Sequence, residues 1–449
     1  MKDNSSILSL GNANITKLLI KYSLPAITAM TAMSLYNITD SIFIGRGVGD
    51  MALSGLSISF PLINLQTALG TLIGVGASAI SSIRLGQKDY TAANHILCNV
   101  VIINILISIF VTVGLMFFLK PIIIFFGASS QSLPYAYEFI RVILIGTIVT
   151  NTYMGLNGLL RTIGHPRKVM YSTIATIFIN LVLNYVFIFQ FKWGIQGSAW
   201  ATVIAQLIVL IWQILFFSTK TTFIHFQKQF FVLKKEIVKD IFSIGLSPFS
   251  LHCSTCLIVI IINKSLSFYG GDLEVGAYGI VTRIVVLFMM IIFGINQGMQ
   301  PIAGYNYGAG LYSRVNEVFK KASIFAVLVM LFGAVIMELF PHFVSSFFSD
   351  EINLVNASAR GLRYVFICAP LAGFQVVAIS FFQSIGKAYR AIILSVLRQV
   401  IILIPLLIIL PKFMGPTGVW VSYPVGDLIS SVLAIYMILA QYKQFKESV

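Results

Sequence analysis

An aspartate set inside an apolar run is the first residue of this chain that could do chemistry. Asp40 lies in Tyr36-Asn37-Ile38-Thr39-Asp40-Ser41, within a stretch long enough to cross a bilayer as a helix. Tyr36 and Asp40 are four residues apart, so a helix brings both to one face. Two later apolar runs carry oxygen-bearing pairs at the same spacing, Asn180 with Asn184 and Ser198 with Thr202. Carboxylate, amide and hydroxyl oxygens are the ligands that a hard cation such as sodium prefers. The same cluster can hold a proton instead. Helix-to-helix hydrogen bonding is the other reading of the two amides and two hydroxyls, since it commonly explains such groups inside membranes.

Asp40 emerges by elimination. An ionisable side chain at the centre of a membrane helix costs about 2.5–3.5 kcal/mol on insertion scales and usually has a function. The chain has only 15 carboxylates. Asp3, Asp50, Asp89, Glu236, Asp240, Asp272, Glu274, Glu317, Asp350, Glu351 and Glu447 are expected in loops or termini, and Glu138 and Glu338 near span ends. Asp40 and Asp427 remain. Arg398, one span before Asp427, is its expected counter-ion, because a buried Arg without one is very costly. A structural or gating ion pair is the first reading of Arg398 and Asp427, and direct substrate contact the second. Arg283 has no partner that the sequence names.

The elements that must position these groups follow from composition. Hydrophobic residues make up 58% of the 449 residues and charged residues 10%, against about 25% charged in soluble proteins. Twelve apolar spans are predicted, at about 18–44, 52–82, 93–119, 134–160, 168–191, 195–218, 239–268, 274–303, 318–347, 357–385, 389–412 and 415–442. The net charge of +15 reads as membrane topology rather than as nucleic-acid binding, because Lys and Arg sit between the apolar runs. With both termini in the cytoplasm, twenty basic residues fall inside and six outside. The polar start, Met1-Lys2-Asp3-Asn4-Ser5-Ser6, lacks the pattern of a cleaved signal peptide, so the first span is expected to be retained.

The chain repeats itself at an offset of 222 residues. Gly76 meets Gly298, Gly86 meets Gly308, Tyr90 meets Tyr312, Arg141 meets Arg363, and Ile163-Gly164 meets Ile385-Gly386. Toward the ends the register slips by one, pairing Pro25 with Pro248, and Gly194 and Gly197 with Gly415 and Gly418. Each repeat holds six spans, so both enter the membrane in the same sense. The expected fold is all-α and membrane-integral, twelve transmembrane helices in two parallel six-helix repeats around a central cavity. The N-lobe is residues 1–219, a basic cytoplasmic linker 220–238, and the C-lobe 239–449. Such an architecture permits alternating access, and no filter motif or acidic ring of a channel is present. At the same offset Asn180 and Asn184 meet Ile402 and Leu406, so a coupling site is expected in the first half only.

Several segments together resemble the MATE (multidrug and toxic compound extrusion) family. They are Leu24-Pro25, Tyr36 through Gly45, Gly74-Val75-Gly76-Ala77, Arg84 through Tyr90, Arg161-Thr162-Ile163-Gly164-His165-Pro166, Asn180 through Asn184, and Gly415 through Trp420. The resemblance covers essentially the whole chain and looks closest to the MepA-like and DinF-like bacterial branches. It implies a two-lobe exporter that exchanges inward sodium or protons for outward, often cationic and amphipathic, small molecules. It implies a cation site at Asp40, Asn180, Asn184 and Thr202. Many relatives carry Asp where this chain has Asn184, which leaves Asp40 as the only acid of the cluster. Pro25 matches a proline that lets the first helix bend in some relatives, and a static kink is the equal alternative.

Other chemistry falls away. Cys253-Ser254-Thr255-Cys256 has the spacing of half a zinc or redox site but lies in a span with no second pair. The five His form no ligand cluster, and neither a phosphate-cradling loop nor a nucleophile with a paired base is present. The expectation is a non-enzyme without cofactor, monomeric, in the plasma membrane of a bacterium or archaeon, with the lipid bilayer and a small-molecule substrate as its partners. A flippase for a lipid-linked saccharide is the alternative, and an ion channel a weaker one.

Overall fold

Within lipid, a helix satisfies every backbone N–H and C=O inside its own segment, and that constraint governs this chain. The structure is a computed structural model that describes residues 2–219 and 223–447, with side chains from residue 7. Residues 1, 220–222 and 448–449 lie outside it, Lys220 of the basic linker among them, as does the side chain of Lys2. Every regular element among the described residues is helical. In the first half these are α1 (Lys2–Asn12), α2 (Ile15–Gly47), α3 (Asp50–Gly86), α4 (Tyr90–Phe125), α5 (Leu133–Ile145), α6 (Thr147–Thr162), α7 (Pro166–Asn184) and α8 (Gly194–Ser218). The second half has α9 (Lys235–Gly308), α10 (Tyr312–Leu339), α11 (Pro341–Ser346), α12 (Ile352–Ile367), α13 (Ala369–Ser384), α14 (Ala388–Val396), α15 (Ile404–Met414) and α16 (Pro416–Glu447). Wider π turns continue α7 through Tyr185–Gln190 and join α14 to α15 through Leu397–Leu403.

Nine of the described helices are long and apolar enough to cross a membrane, and the pairs α5–α6 and α12–α13 each make one more, bent by 53°. The 74-residue α9 holds two spans, because Gly271 breaks it at φ 68° and ψ −168°, a conformation open to glycine alone. The twelve spans are thus all present.

The structure departs from the sequence expectation at named points. The run 134–160 is broken at Gly146, where a Cβ would come within 2.3 Å of the Val203 side chain. The bend lets α8 pack into the corner. The run 357–385 breaks at Cys368 because Pro370 opens α13, and a proline cannot continue the helix before it. Expected as a loop, the stretch 269–273 is a corner at one glycine, and Glu274 just after it is helical and only 4% exposed. The polar start carries the short helix α1, whose Ile7 and Leu10 are buried.

Cα packing divides the chain into two compact units, Met1–Ala13 with Thr28–Phe249, and Asn14–Ile27 with Ser250–Val449. The first stretch of α2 therefore belongs with the second half, and the first stretch of α9 with the first half. Repeat-matched glycines make room for both. A Cβ on Gly76 would lie 2.1 Å from the Ile241 carbonyl oxygen, and one on Gly298 would lie 2.2 Å from Ser23 Oγ. Pro25 sits two residues before α2 passes from one unit to the other.

Candidate functional site

In the first unit the polar pairs converge. Helical spacing stacks Asn180 over Asn184 on α7 and Ser198 over Thr202 on α8, and both faces meet the face of α2 that carries Tyr36 and Asp40. Asp40 is 9% exposed, while Asn180, Asn184 and Ser198 are buried. The Asp40 carboxylate accepts through Oδ1 from Asn184 Nδ2 and from Ser198 Oγ, each at 2.8 Å. Asn184 Nδ2 also donates to Asn180 Oδ1 at 2.8 Å, and Asn180 Nδ2 donates to Thr202 Oγ1 at 3.0 Å. Tyr36 OH lies 3.1 Å from Thr202 Oγ1 and closes the chain. Six side chains from three helices thus form one connected network in which Asp40 is the sole acid.

Two features bear on what this network can do. No cationic side chain appears in it, so the donors that hold the carboxylate are all neutral. Asn184 Oδ1 is buried with no hydrogen-bond partner, a strong acceptor left unused beside an acid. The π turns begin directly after Asn184, and such turns often accompany functional positions.

In the second unit the buried acids carry their own cations. Asp427 Oδ1 receives Arg398 Nε at 2.9 Å and Nη2 at 2.7 Å. Glu274, which elimination by sequence had put in a loop, is held by Arg360 Nη2 and by Trp420 Nε1 at 3.1 Å. It is the buried acid that span counting missed. The only local signal was its position one turn past Gly270-Gly271, and its partners lie far along the chain. Arg283, on α9, is exposed. Cys253 and Cys256 lie within α9 and are not joined in a disulfide.

Similarity to known proteins adds to this geometry. The family model described as MatE matches residues 25–186 and 251–409, one segment in each repeat. Over 438 residues the chain is 24% identical to the multidrug export protein MepA of Staphylococcus haemolyticus (strain JCSC1435), covering 98% of this chain and 96% of that one. MepA of Staphylococcus aureus (strain NCTC 8325 / PS 47) is 25% identical over 426 residues, covering 94% and 93%. Among solved structures, an outward-facing conformation of a multidrug resistance MATE family transporter of the MOP superfamily superposes with a TM-score of 0.92 at 22% identity, over 98% of both chains. A MATE crystal structure in the bent conformation gives a TM-score of 0.93 at 22% identity, over 99% and 98%.

Proposed function

The chain belongs to the MatE family of membrane transporters, and from that premise we propose that it is a secondary antiporter exporting amphipathic, often cationic, small molecules in exchange for inward protons or sodium. The relatives named as multidrug export proteins support the cargo class. The observation that carries the coupling is Asp40, buried and held by neutral donors alone. An acid in that setting gains a proton or a cation without displacing a protein counter-ion.

The coupling step follows from the network. A proton on Asp40 turns an acceptor into a donor, and rotation of the Asn184 amide then presents its unpartnered Oδ1 as the matching acceptor. A sodium ion takes oxygens of Asp40, Asn180, Asn184 and Thr202 in the same space. Either event replaces the Asn184 Nδ2 bonds to Asp40 and Asn180, and so rebuilds the contact between α7 and α2. Because a ligand shifts a conformational balance only by binding one state better, the loaded network must favour a different course of α2. Pro25, beside the point where α2 changes units, is the bending position. The transporter works without a cofactor, as a monomer in the plasma membrane, with both termini in the cytoplasm.

The test uses the purified protein in vesicles. An imposed pH or sodium gradient, each applied alone, drives accumulation of a fluorescent cation, and Asp40→Asn abolishes it while the protein stays folded. Undiminished accumulation by Asp40→Asn sinks the proposal. Gradient-independent scrambling of a lipid-linked sugar would point to a flippase, and gradient-independent ion current to a channel.

A further inference from the structure

The strap between α8 and α9 is fastened to α4 by two asparagines used in the same way. Asn94 Nδ2 donates to the Phe223 carbonyl at 3.1 Å while Asn94 Oδ1 accepts from the His225 backbone N–H at 2.8 Å. Asn99 repeats the pattern one step on, donating to the Val232 carbonyl at 3.0 Å and accepting from the Lys234 N–H at 3.1 Å. Phe223 stacks on Tyr90 at 4.4 Å between centroids, and Phe230 meets the His95 ring edge-on at 4.6 Å. The strap therefore has a definite height on α4.

That height coincides with a bilayer boundary. From Asn99 to Lys120, both on α4, no charged residue intervenes. Those 21 residues rise about 31 Å at 1.5 Å each, and the hydrocarbon core is about 30 Å thick. With exposed Lys120 at one face of the core, Asn99 stands at the other. Residues 99, 106 and 113 follow at heptad spacing, and Leu106 and Val113, with Phe110 and Phe117 beside them, are exposed. The clamp thus lies at the lower end of the stripe that α4 turns to lipid. At that level the strap exposes consecutive apolar residues, Phe231 at 44%, Val232 at 59% and Leu233 at 45%. Exposed Lys228, Lys234 and Lys235 flank them, with Glu236 the acid next in sequence.

We propose that this strap is a membrane-reading anchor: Phe231, Val232 and Leu233 enter the inner-leaflet boundary, and Lys228, Lys234 and Lys235 hold anionic phospholipid headgroups. The side of the membrane rests on the orientation proposed above; the depth rests on α4 alone. Apolar residues at the hydrocarbon edge with lysines reaching to the headgroups are the amphipathic arrangement that such an interface selects. The strap runs directly into the stretch of α9 that packs on Gly76, so the lipid it holds also fixes the height at which α9 starts.

The experiment uses the full-length transporter with its four cysteines replaced and a nitroxide on Val232→Cys, in vesicles of phosphatidylcholine with phosphatidylglycerol. The label is expected to be accessible to oxygen and shielded from a water-soluble nickel complex; a water-exposed label overturns the proposal. Native mass spectrometry of the same protein from mixed-lipid nanodiscs reads headgroup choice. Each lysine near an anionic surface is worth about a fivefold preference. The triple variant Lys228→Gln, Lys234→Gln, Lys235→Gln should therefore lose phosphatidylglycerol enrichment by about two orders of magnitude at most, and the Arg triple variant should keep it. Equal retention of both lipids by the parent overturns the headgroup assignment. So does retention of soluble glycerol phosphate in preference to lipid, which would mark an ordinary anion site. Folding of the variants is checked by a single symmetric gel-filtration peak and an unchanged thermal unfolding temperature, neither of which depends on the antiporter reading.

Discussion

The two halves of this molecule descend from one pattern and bury their acids by opposite means. In the first unit Asp40 is held by an amide and a hydroxyl. In the second, Asp427 is held by Arg398 and Glu274 by Arg360. An internal ion pair already satisfies its charges and gains little by admitting a third ion, and breaking it strands a charge. A carboxylate with neutral donors has no such partner to lose. The two halves therefore differ in what their acids are given: one leaves its acid without a cation, and the other uses its acids to tie α9, α12 and α16 together. Both halves place wide π turns beside the group in question, after Asn184 and around Arg398, but at different heights in the repeat. The turns are thus not a repeat-matched feature of the shared scaffold.

The sharpest way to break this comparison is to neutralise the two aspartates separately. Asp40→Asn should bring gradient-driven transport to background with little loss of stability, because Asn offers the same acceptor to Ser198 and Asn184. Asp427→Asn should do the reverse in kind and cost about 3–5 kcal/mol in denaturation midpoint experiments, since Arg398 loses its buried counter-ion. Adding Arg398→Gln should restore much of that loss. If the double variant is no better than the single, the pair is not what holds that unit.

Gly76→Leu and Gly298→Leu test whether the halves share their packing logic even where their chemistry differs. Each would overpack a helix against backbone or a buried serine, and a loss of at least about 1–3 kcal/mol is expected, read as a drop in thermal unfolding temperature. Trp420→Phe removes one donor to Glu274 and should cost about 1.5–3 kcal/mol by the same measurement. Asn184→Asp gives the first unit a second carboxylate. Sodium-dependent thermal stabilisation should then appear at about tenfold lower sodium, some 1.4 kcal/mol, and an unchanged sodium response would remove Asn184 from the site.

Much of the fold was legible because lipid permits so few solutions. Apolar runs bounded by Lys and Arg located the spans, and glycines kept in register revealed the duplication. The helical pairs at 36 and 40, 180 and 184, and 198 and 202 named the side chains that the structure brings into one network. Hydropathy could not show the corners. Gly146 and Cys368 bend their spans because α8 presses into one and Pro370 interrupts the other, and Gly271 turns in a single residue where a loop was expected. Glu274 was lost for the same reason: its burial depends on Arg360 and Trp420, which approach it only after the chain has folded. Nor does any periodicity announce π turns, whose extra residue is absorbed by packing.

The crossing of α2 and α9 into opposite units makes the chain resistant to being taken apart. A protease cut within the strap would separate the polypeptide into two fragments, yet each would still carry a helical stretch seated in the other's compact body, at Gly298 and at Gly76. Nicked protein should consequently travel as a single particle through detergent, and neither fragment made alone should reach a native form.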